Sequence, residues 1–130
     1  MALSEWALCE IEYDREGPTQ RPVTRELSAH GKVGERARAI GCLRLLRLQG
    51  WPEARKSLLV DEPLEGIFVL KCKPSCWRLY FHVEQTQKMF LLLHAVCKKA
   101  QKRDPNDPKK AARRFADWQN REAKAGAVTL

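Results

Sequence analysis

The sequence has little of what marks secreted or membrane-bound proteins. Its first 17 residues are acidic and lack the basic segment and apolar run of a signal peptide. The longest apolar run, Met89–Val96, contains His94 and is far shorter than the roughly 20 residues that span a membrane. We therefore expect a cytoplasmic protein that has no membrane partner.

The five cysteines also lack the spacing of a zinc or redox site. Only Cys72 and Cys76 are close in sequence, and their spacing differs from the C-x-x-C of zinc knuckles and redox motifs. No second pair of ligands follows at the distance that zinc sites require. We therefore expect no metal and no cofactor, and we interpret the cysteines as reduced structural thiols.

The chain does have enough apolar sequence for one core, together with an excess of positive charge. Its 130 residues predict a single domain, placed at 1–122, with a frayed tail at 123–130. Hydrophobic content of 44% and charged content of 31% favour a globular protein over a disordered one. The net charge of +8 predicts an anionic partner. On charge alone, RNA, DNA, an anionic membrane and an acidic protein all remain possible.

Three apolar runs in the second half predict a β-meander, because loops of two to five residues between strands favour antiparallel hairpins. One strand and two helices are predicted before the meander, and one helix after it. This order predicts an α+β fold in which the helices pack on one face of a mainly antiparallel sheet. The predicted strands are Glu5–Tyr13, Ile67–Lys73, Trp77–Val83 and Lys88–Val96. The predicted helices are Pro22–His30, Lys32–Gln49 and a segment capped by Asn106 or Asp107. Residues 51–65 are predicted to be irregular, and the buried stripe of the second helix is predicted to be Ala37, Ile40, Leu43, Leu46 and Leu48.

The positive charge is concentrated in one segment. From Lys98 to Arg114 there are eight Lys or Arg and two Asp, which gives +6 of the chain's +8. A dense cationic segment is typical of a phosphate-binding surface. The segment therefore predicts a site for a polyanion.

Strand alternation places further cations beside this segment. Arg78, Tyr80 and His82 share one face of the middle strand of the meander, opposite its apolar residues. Lys71 and Lys73 share one face of the preceding strand, which a tight hairpin joins to the middle strand. The surface predicted from this alternation consists of Lys71, Lys73, Arg78, Tyr80, Lys98 and Lys99.

These side-chain types suit RNA cleavage without a metal. If the RNA 2′-hydroxyl attacks the neighbouring phosphate, the protein has to align the reacting atoms, move two protons and stabilise the developing charge. Arg78 is the candidate for charge stabilisation. Lys71 or Lys73 is a candidate base, provided that neighbouring cations favour its neutral form. His82 is an alternative acid or base, although a half-buried strand histidine is the simpler interpretation.

Three segments carry a family resemblance: LEGIFVLK at Leu64–Lys71, WRLYF at Trp77–Phe81 and FLLLHAVCKKAQK at Phe90–Lys102. They resemble the phage-derived, HigB-like branch of the RelE/ParE toxin superfamily, whose patterns there are roughly G-L-x-E-L-R, Y-R-x-x-F and L-L-H-x-F-x-K-K-T-Q-K-T-P. The similarity covers most of the chain, and K-K-x-Q-K is its most specific piece. The chain departs from the family pattern at Val69, Lys71, Trp77 and Ala100, and Arg103–Asp104–Pro105 replaces the final T-P.

The resemblance implies a RelE-like α+β fold and the toxin of a type II toxin–antitoxin system, which inhibits translation by cleaving mRNA on the ribosome. It also implies a HigA-like antitoxin with a helix-turn-helix domain, and no small-molecule substrate. The catalytic residues expected for this metal-independent endoribonuclease are Arg78, Lys71, Lys73, Lys98 and Lys99. The expected RNA-binding residues are Lys102, Arg103, Lys109, Lys110, Arg113, Arg114, Tyr80 and His82.

Two other functions fit the same residues. One is a non-catalytic RelE-fold phage protein that binds a host protein or nucleic acid. The other is a ParE-like toxin that poisons DNA gyrase. The lysines after the third meander strand favour RNA, because a ribosome-bound enzyme makes many phosphate contacts.

Overall fold

The structure, a computed structural model, describes residues 6–14, 17–29, 33–98 and 104–128. In these residues six strands form one sheet, and four helices pack around it. The strands are β1 (Ala7–Glu12), β2 (Val60–Leu64), β3 (Ile67–Lys71), β4 (Trp77–Glu84), β5 (Met89–Cys97) and β6 (Lys124–Ala127). The helices are α1 (Pro22–Ala29), α2 (Val33–Gln49), α3 (Glu53–Ser57) and α4 (Asn106–Gln119). None of the described helices is long and apolar enough to cross a membrane.

The sheet has the strand order β2-β3-β4-β5-β1-β6. Strands β2 to β5 form a continuous antiparallel meander. β1 lies parallel to β5, with Ala7 opposite Met89, and β6 is antiparallel to β1. The predicted α+β class and the three-stranded meander are therefore confirmed, within a sheet that has two strands more than predicted.

Both additional strands lie in segments that were predicted to be irregular or frayed. β2 and α3 occupy part of residues 51–65, and Pro63 is tolerated in β2 because this strand lies at the sheet edge. β6 pairs with β1, so the predicted frayed tail is wrong for Lys124–Ala127. The sequence KAGA has little strand propensity. A larger residue at Gly126 would require the Glu12 side chain to move, because a Cβ there would meet its carboxylate.

Helices cover both faces of the sheet, so the prediction that they share one face is wrong. On one face, the Trp77 indole Nε1 donates a hydrogen bond to the Glu35 carbonyl of α2 at 2.8 Å. On the other face, the imidazole of His82 packs against Phe115 of α4, with ring centroids 4.2 Å apart. Helix α4 therefore covers part of the surface that strand alternation had left open.

The buried stripe of α2 also differs from the prediction. It consists of Ala39, Leu43 and Leu46, whereas Ala37 is exposed and Leu48 is 61% exposed. Because α2 carries apolar residues on two sides, the helical period alone does not identify which side faces the core.

The core on the α2 side is built from aromatic rings of neighbouring strands. Phe81 of β4 lies 5.7 Å from Phe68 of β3 and 5.8 Å from Phe90 of β5, measured between ring centroids. Trp51 covers Phe68 at 4.7 Å. Gly50, with φ of 69°, ends α2 and turns the chain toward Trp51. This layer fixes the meander and leaves its opposite face to α4 and the candidate site.

The cysteines depart from the expectation that all are reduced. Cys76 and Cys97 form a disulfide, with Cα atoms 4.7 Å apart, and Cys9, Cys42 and Cys72 are free. The pair is 21 residues apart in sequence. It meets because the strand register places Cys97 opposite Trp77, the neighbour of Cys76. Sequence spacing carries no signal of such a pairing.

Candidate nucleic-acid interface

A cavity of about 650 Å³ opens on the α4 side of the sheet, between β2, the β3–β4 hairpin and the start of α4. Six of the residues predicted to contact or cleave RNA line this cavity. They are Lys71, Lys73, Arg78, Tyr80, Lys98 and Lys109. Asp61, Glu62 and Asp104 line it as well, so its lining carries both signs of charge, with cations in excess.

The strand register explains why these cations meet. Lys71 of β3 lies directly opposite Arg78 of β4, and Val69 lies opposite Tyr80. Cross-strand partners project from the same face of a sheet. Lys98 follows β5, and its backbone N–H donates to the Cys76 carbonyl at 2.8 Å, which keeps it beside the start of β4. Of the cations predicted to share a surface, the structure thus brings together Lys71, Lys73, Arg78 and Lys98.

The cations differ in their partners. The Lys71 Nζ lies 2.6 Å from the Asp61 carboxylate, and the Lys98 Nζ lies 2.7 Å from the Asp107 carboxylate. In the described part of the chain, no carboxylate forms a salt bridge with the other three cations of the cavity. These are Lys73, Arg78 and Lys109, of which Arg78 donates only a weak hydrogen bond, to the Trp77 carbonyl at 3.3 Å.

The start of α4 forms one wall of the cavity. The Asp104 carboxylate accepts a hydrogen bond from the Asn106 N–H at 2.9 Å, and the Asp104 carbonyl accepts one from the Asp107 N–H. The prediction that Asn106 or Asp107 caps this helix is wrong, because Pro105 occupies the N-cap position and the Asp107 carboxylate contacts His94 of β5. The carboxylate of Asp104 thus satisfies a donor at the helix start, where the macrodipole favours negative charge.

Behind this wall lies a buried ionic network centred on His94, which is 4% exposed. Its Nδ1 lies 2.8 Å from the Glu26 carboxylate of α1, and its Nε2 lies 2.8 Å from the Asp107 carboxylate of α4. Asp107 also holds Lys98, so the network reaches the cavity. His94 is therefore a core residue that links β5 to α1 and α4.

Arg114 belongs to the same network. Its guanidinium donates to the Glu26 carboxylate at 3.0 Å and to the Leu93 carbonyl at 2.8 Å. Glu26 in turn accepts from the Ala95 N–H at 3.1 Å. These side chains satisfy the edge of β5 beyond the end of its pairing with β1, where the backbone would otherwise lack partners. Arg114, predicted to bind RNA, is therefore engaged inside the protein, with a side chain only 13% exposed.

The same contacts set the protonation of the two carboxylates. Burial raises the pKa of Glu26, but hydrogen bonds from His94 and Arg114 outweigh it and hold that pKa below its usual value. Burial likewise raises the pKa of Asp107, and hydrogen bonds from Lys98 and His94 lower it to below the usual value. Both carboxylates are thus stabilised in their charged form.

The remaining predicted residues lie elsewhere. The His82 Nδ1 is 3.0 Å from the Gly66 carbonyl, and its ring is half-buried under α4, away from the cavity. Lys110 and Arg113 lie on α4 but do not line the cavity. Lys99, Lys102 and Arg103 lie outside the described residues.

Sequence reasoning missed the acidic members of the site. Asp61 was overlooked because β2 was predicted to be irregular, and only the pairing of β2 with β3 brings Asp61 to Lys71. Glu26 was overlooked because a polar residue on a short helix gives no sign of the strand that it contacts. A group of three His, Cys, Asp or Glu side chains suited to a metal ion is absent from the described residues.

No protein-family model matches the chain, and no curated protein sequence matches it either.

Proposed function

We propose that the cavity binds the phosphate backbone of RNA and that the protein is a RelE-like toxin, a metal-independent endoribonuclease that cleaves mRNA on the ribosome in the cytoplasm. The observation that carries this proposal is the convergence of five cations and Tyr80 in one cavity. The HigB-like sequence motifs contain several of these residues, and they are the basis for proposing mRNA cleavage on the ribosome.

The binding step rests on the cations that have no salt bridge in the described part of the chain. Lys73 lies in the hairpin before β4, Arg78 lies on β4 and Lys109 lies on α4. They therefore approach a ligand from different sides. A planar guanidinium suits bidentate contact with phosphate, and ammonium groups add charge. Tyr80 is only 7% exposed, so it forms part of the floor and does not offer its ring for base stacking.

The cleavage step assigns a role to each of the cations on the strands. Arg78 stabilises the negative charge that develops on the phosphate as the 2′-hydroxyl attacks. Lys73 is a better candidate than Lys71 for moving a proton, because Lys71 is held by Asp61 at 2.6 Å. Lys71 and Lys98 then add positive electrostatic potential at the phosphate and help to position the RNA for attack.

The proposed protein partner is a HigA-like antitoxin that covers the cavity. Such a partner would present carboxylates to Lys73, Arg78 and Lys109, because burying these cations without counter-charges would be unfavourable. Antitoxin and RNA would then compete for the same cavity.

The proposal is tested by inducing the chain in a bacterium and mapping the 5′ ends of cellular RNA. Growth should stop, and new ends should appear within translated regions. Arg78→Ala should abolish both effects, whereas Arg47→Ala should retain them, since Arg47 is an equally charged, exposed residue on α2. Normal growth at full expression would contradict the proposal.

A non-catalytic RNA-binding protein is the second candidate. It is favoured by the ion pairs of Lys71 and Lys98, which leave fewer cations for chemistry. RNA that binds in an Arg78-dependent way, with no new 5′ ends after induction, would support this candidate over the nuclease.

A further inference from the structure

Three of the five cysteines lie beside the cavity cations in sequence, although the Cys76 Sγ faces Glu35 of α2, on the opposite side of the sheet from the cavity. Each cation that β3, β4, β5 and their connections contribute to the cavity lies within two positions of a cysteine. Lys71 and Lys73 flank Cys72, Arg78 follows Cys76 by two positions, and Lys98 directly follows Cys97. A change in the oxidation state of these cysteines would therefore act on the strand ends that carry the cations.

The disulfide lies where the hydrogen-bonded ladders end. Trp77 opposite Cys97 is the last pair between β4 and β5, and Lys71 opposite Arg78 is the last between β3 and β4. Beyond them, the hydrogen bond from the Lys98 N–H to the Cys76 carbonyl continues the contact between the hairpin and the end of β5. The Cys76–Cys97 bond joins these two segments covalently at that point.

Both cysteines are only half-buried, so the bridge lies near the protein surface. It also suits a reversible role if the protein works beside ribosomes. The cytosol keeps thiols reduced, and disulfides found there are usually transient, catalytic or redox-sensing. A permanent structural bridge would not persist in that compartment.

We propose that Cys76 and Cys97 are a site of reversible thiol–disulfide exchange with low-molecular-weight thiols of the glutathione class, and that the disulfide form holds the cavity in its RNA-binding arrangement. One thiolate attacks a sulfur of the bridge, which forms a mixed disulfide and releases the other cysteine as a thiolate that takes up a proton. A second thiolate displaces the first cysteine, and the two reagent molecules leave as their own disulfide. The two electrons gained by the protein are those lost by the two thiols.

Reduction should weaken RNA binding without removing any charge. Opening the bridge lets the hairpin with Lys73 move relative to Lys98, so binding has to order these side chains again. An ordering cost of this kind for two side chains corresponds to about a tenfold loss of affinity. This inference rests on the proposed RNA binding at the cavity.

The test measures binding of a fluorescent single-stranded RNA of about 12 nucleotides by anisotropy. The protein is equilibrated in buffers of reduced and oxidised glutathione, and the disulfide is quantified by mass spectrometry. Affinity should fall about tenfold on reduction and return on reoxidation. Hydrogen–deuterium exchange should rise in residues 72–77 and near residue 97, but not in β1 and β6, which shows that the reduced protein remains folded.

Variants separate the bridge from general thiol effects. Cys76→Ser/Cys97→Ser should bind RNA as weakly as the reduced protein and should not respond to glutathione. Cys9→Ser, which changes a free cysteine on β1, should respond as the original chain does.

The outcomes distinguish the two proposals. If the oxidised protein binds RNA through Arg78 but reduction leaves the affinity unchanged, the exchange site is overturned and the proposed function stands. If oxidised glutathione never forms the Cys76–Cys97 bridge, the exchange site is likewise overturned. If neither form binds RNA, the proposed function itself fails, and the regulation built on it fails with it.

Discussion

Lys71 and Arg78 lie directly opposite each other on neighbouring strands, and the Lys71 ammonium group is held by Asp61 at 2.6 Å. Like charges at directly opposed positions destabilise a sheet. Asp61 relieves part of this repulsion from the edge strand β2, while Arg78 receives no salt bridge from the described residues. This arrangement agrees with the proposed role of Arg78 in ligand binding.

The first prediction follows from this opposition of charges. Arg78→Ala should leave the free energy of unfolding unchanged or raise it by up to about 1 kcal/mol, because it removes the repulsion from Lys71. The same change should weaken RNA binding at least tenfold, since among the described residues it removes the one guanidinium that lines the cavity. Urea unfolding and fluorescence anisotropy measure the two effects.

Arg47→Ala is the matched control for this variant, because it removes the same charge from the exposed side of α2. It should change neither stability nor RNA affinity by more than a small amount. A large loss of stability in Arg78→Ala would contradict the prediction and would identify Arg78 as a structural residue.

The second prediction concerns the carboxylate that opposes RNA binding. Asp61→Asn should strengthen RNA binding by roughly threefold and make it more sensitive to salt, because Lys71 becomes available for one more phosphate contact. The slope of the logarithm of affinity against that of salt concentration should steepen by about 0.7 to 0.9. Glu53→Gln, which removes an exposed acid from α3, should leave this slope unchanged.

The cavity-facing side of the meander could be predicted from the sequence because strand alternation has a strict period of two. Arg78 and Tyr80 were placed correctly on one face, and their apolar neighbours on the other. The period also placed His82 on that face correctly. It gave no sign that Phe115 would cover His82, because the packing of α4 depends on contacts between residues far apart in sequence.

Non-local pairing explains the other differences. Asp61 reaches Lys71 only through the pairing of β2 with β3, and Cys97 reaches Cys76 only through the register of β4 with β5. The small residues of β6 form a strand because β1 offers a free edge, which local propensity does not report. Composition and alternation thus predicted the class of fold and the cationic surface, whereas the counter-charges and the disulfide depended on three-dimensional register.

The third prediction tests the network around His94. Glu26→Gln should lower the free energy of unfolding at neutral pH by about 3 kcal/mol, because it leaves His94 and Arg114 without their shared carboxylate in a buried setting. The variant should still fold, since the substitution leaves the aromatic core on the α2 side of the sheet unchanged. Urea unfolding monitored by tryptophan fluorescence measures the difference, and a loss below about 1 kcal/mol would contradict the role assigned to Glu26.

The same network predicts a dependence on pH. The folded-state pKa values of Glu26 and Asp107 lie below their usual values of 4.5 and 3.8. The stability that these carboxylates contribute is therefore fully present above those usual values and is lost as the pH falls through the lower, folded-state values. The original chain should lose stability steeply below about pH 4.5, and Glu26→Gln should show a shallower loss. Identical profiles would contradict the lowered pKa of Glu26.

The last prediction concerns two free thiols on the α2 side of the sheet, those of Cys42 and Cys72. Cys42 of α2 receives a hydrogen bond from Cys72, which lowers the pKa of Cys42 to about 7 and raises that of Cys72. Alkylation of Cys42 by iodoacetamide should therefore increase with pH around a midpoint near 7 instead of near 9. Cys72→Ala removes the donor, so the pKa of Cys42 should return toward its ordinary value of 9.0 and the fraction of thiolate at pH 7 should fall by roughly fiftyfold. Because a thiolate of higher pKa is also more nucleophilic, the labelling rate should fall by only about fivefold.

Cys72→Ser keeps a donor at the same position and should retain most of the rate, which separates loss of the hydrogen bond from loss of the cysteine. Peptide mapping by mass spectrometry follows Cys42 alone, and equal rates in the Ala variant and the original chain would show that Cys72 does not control this thiol.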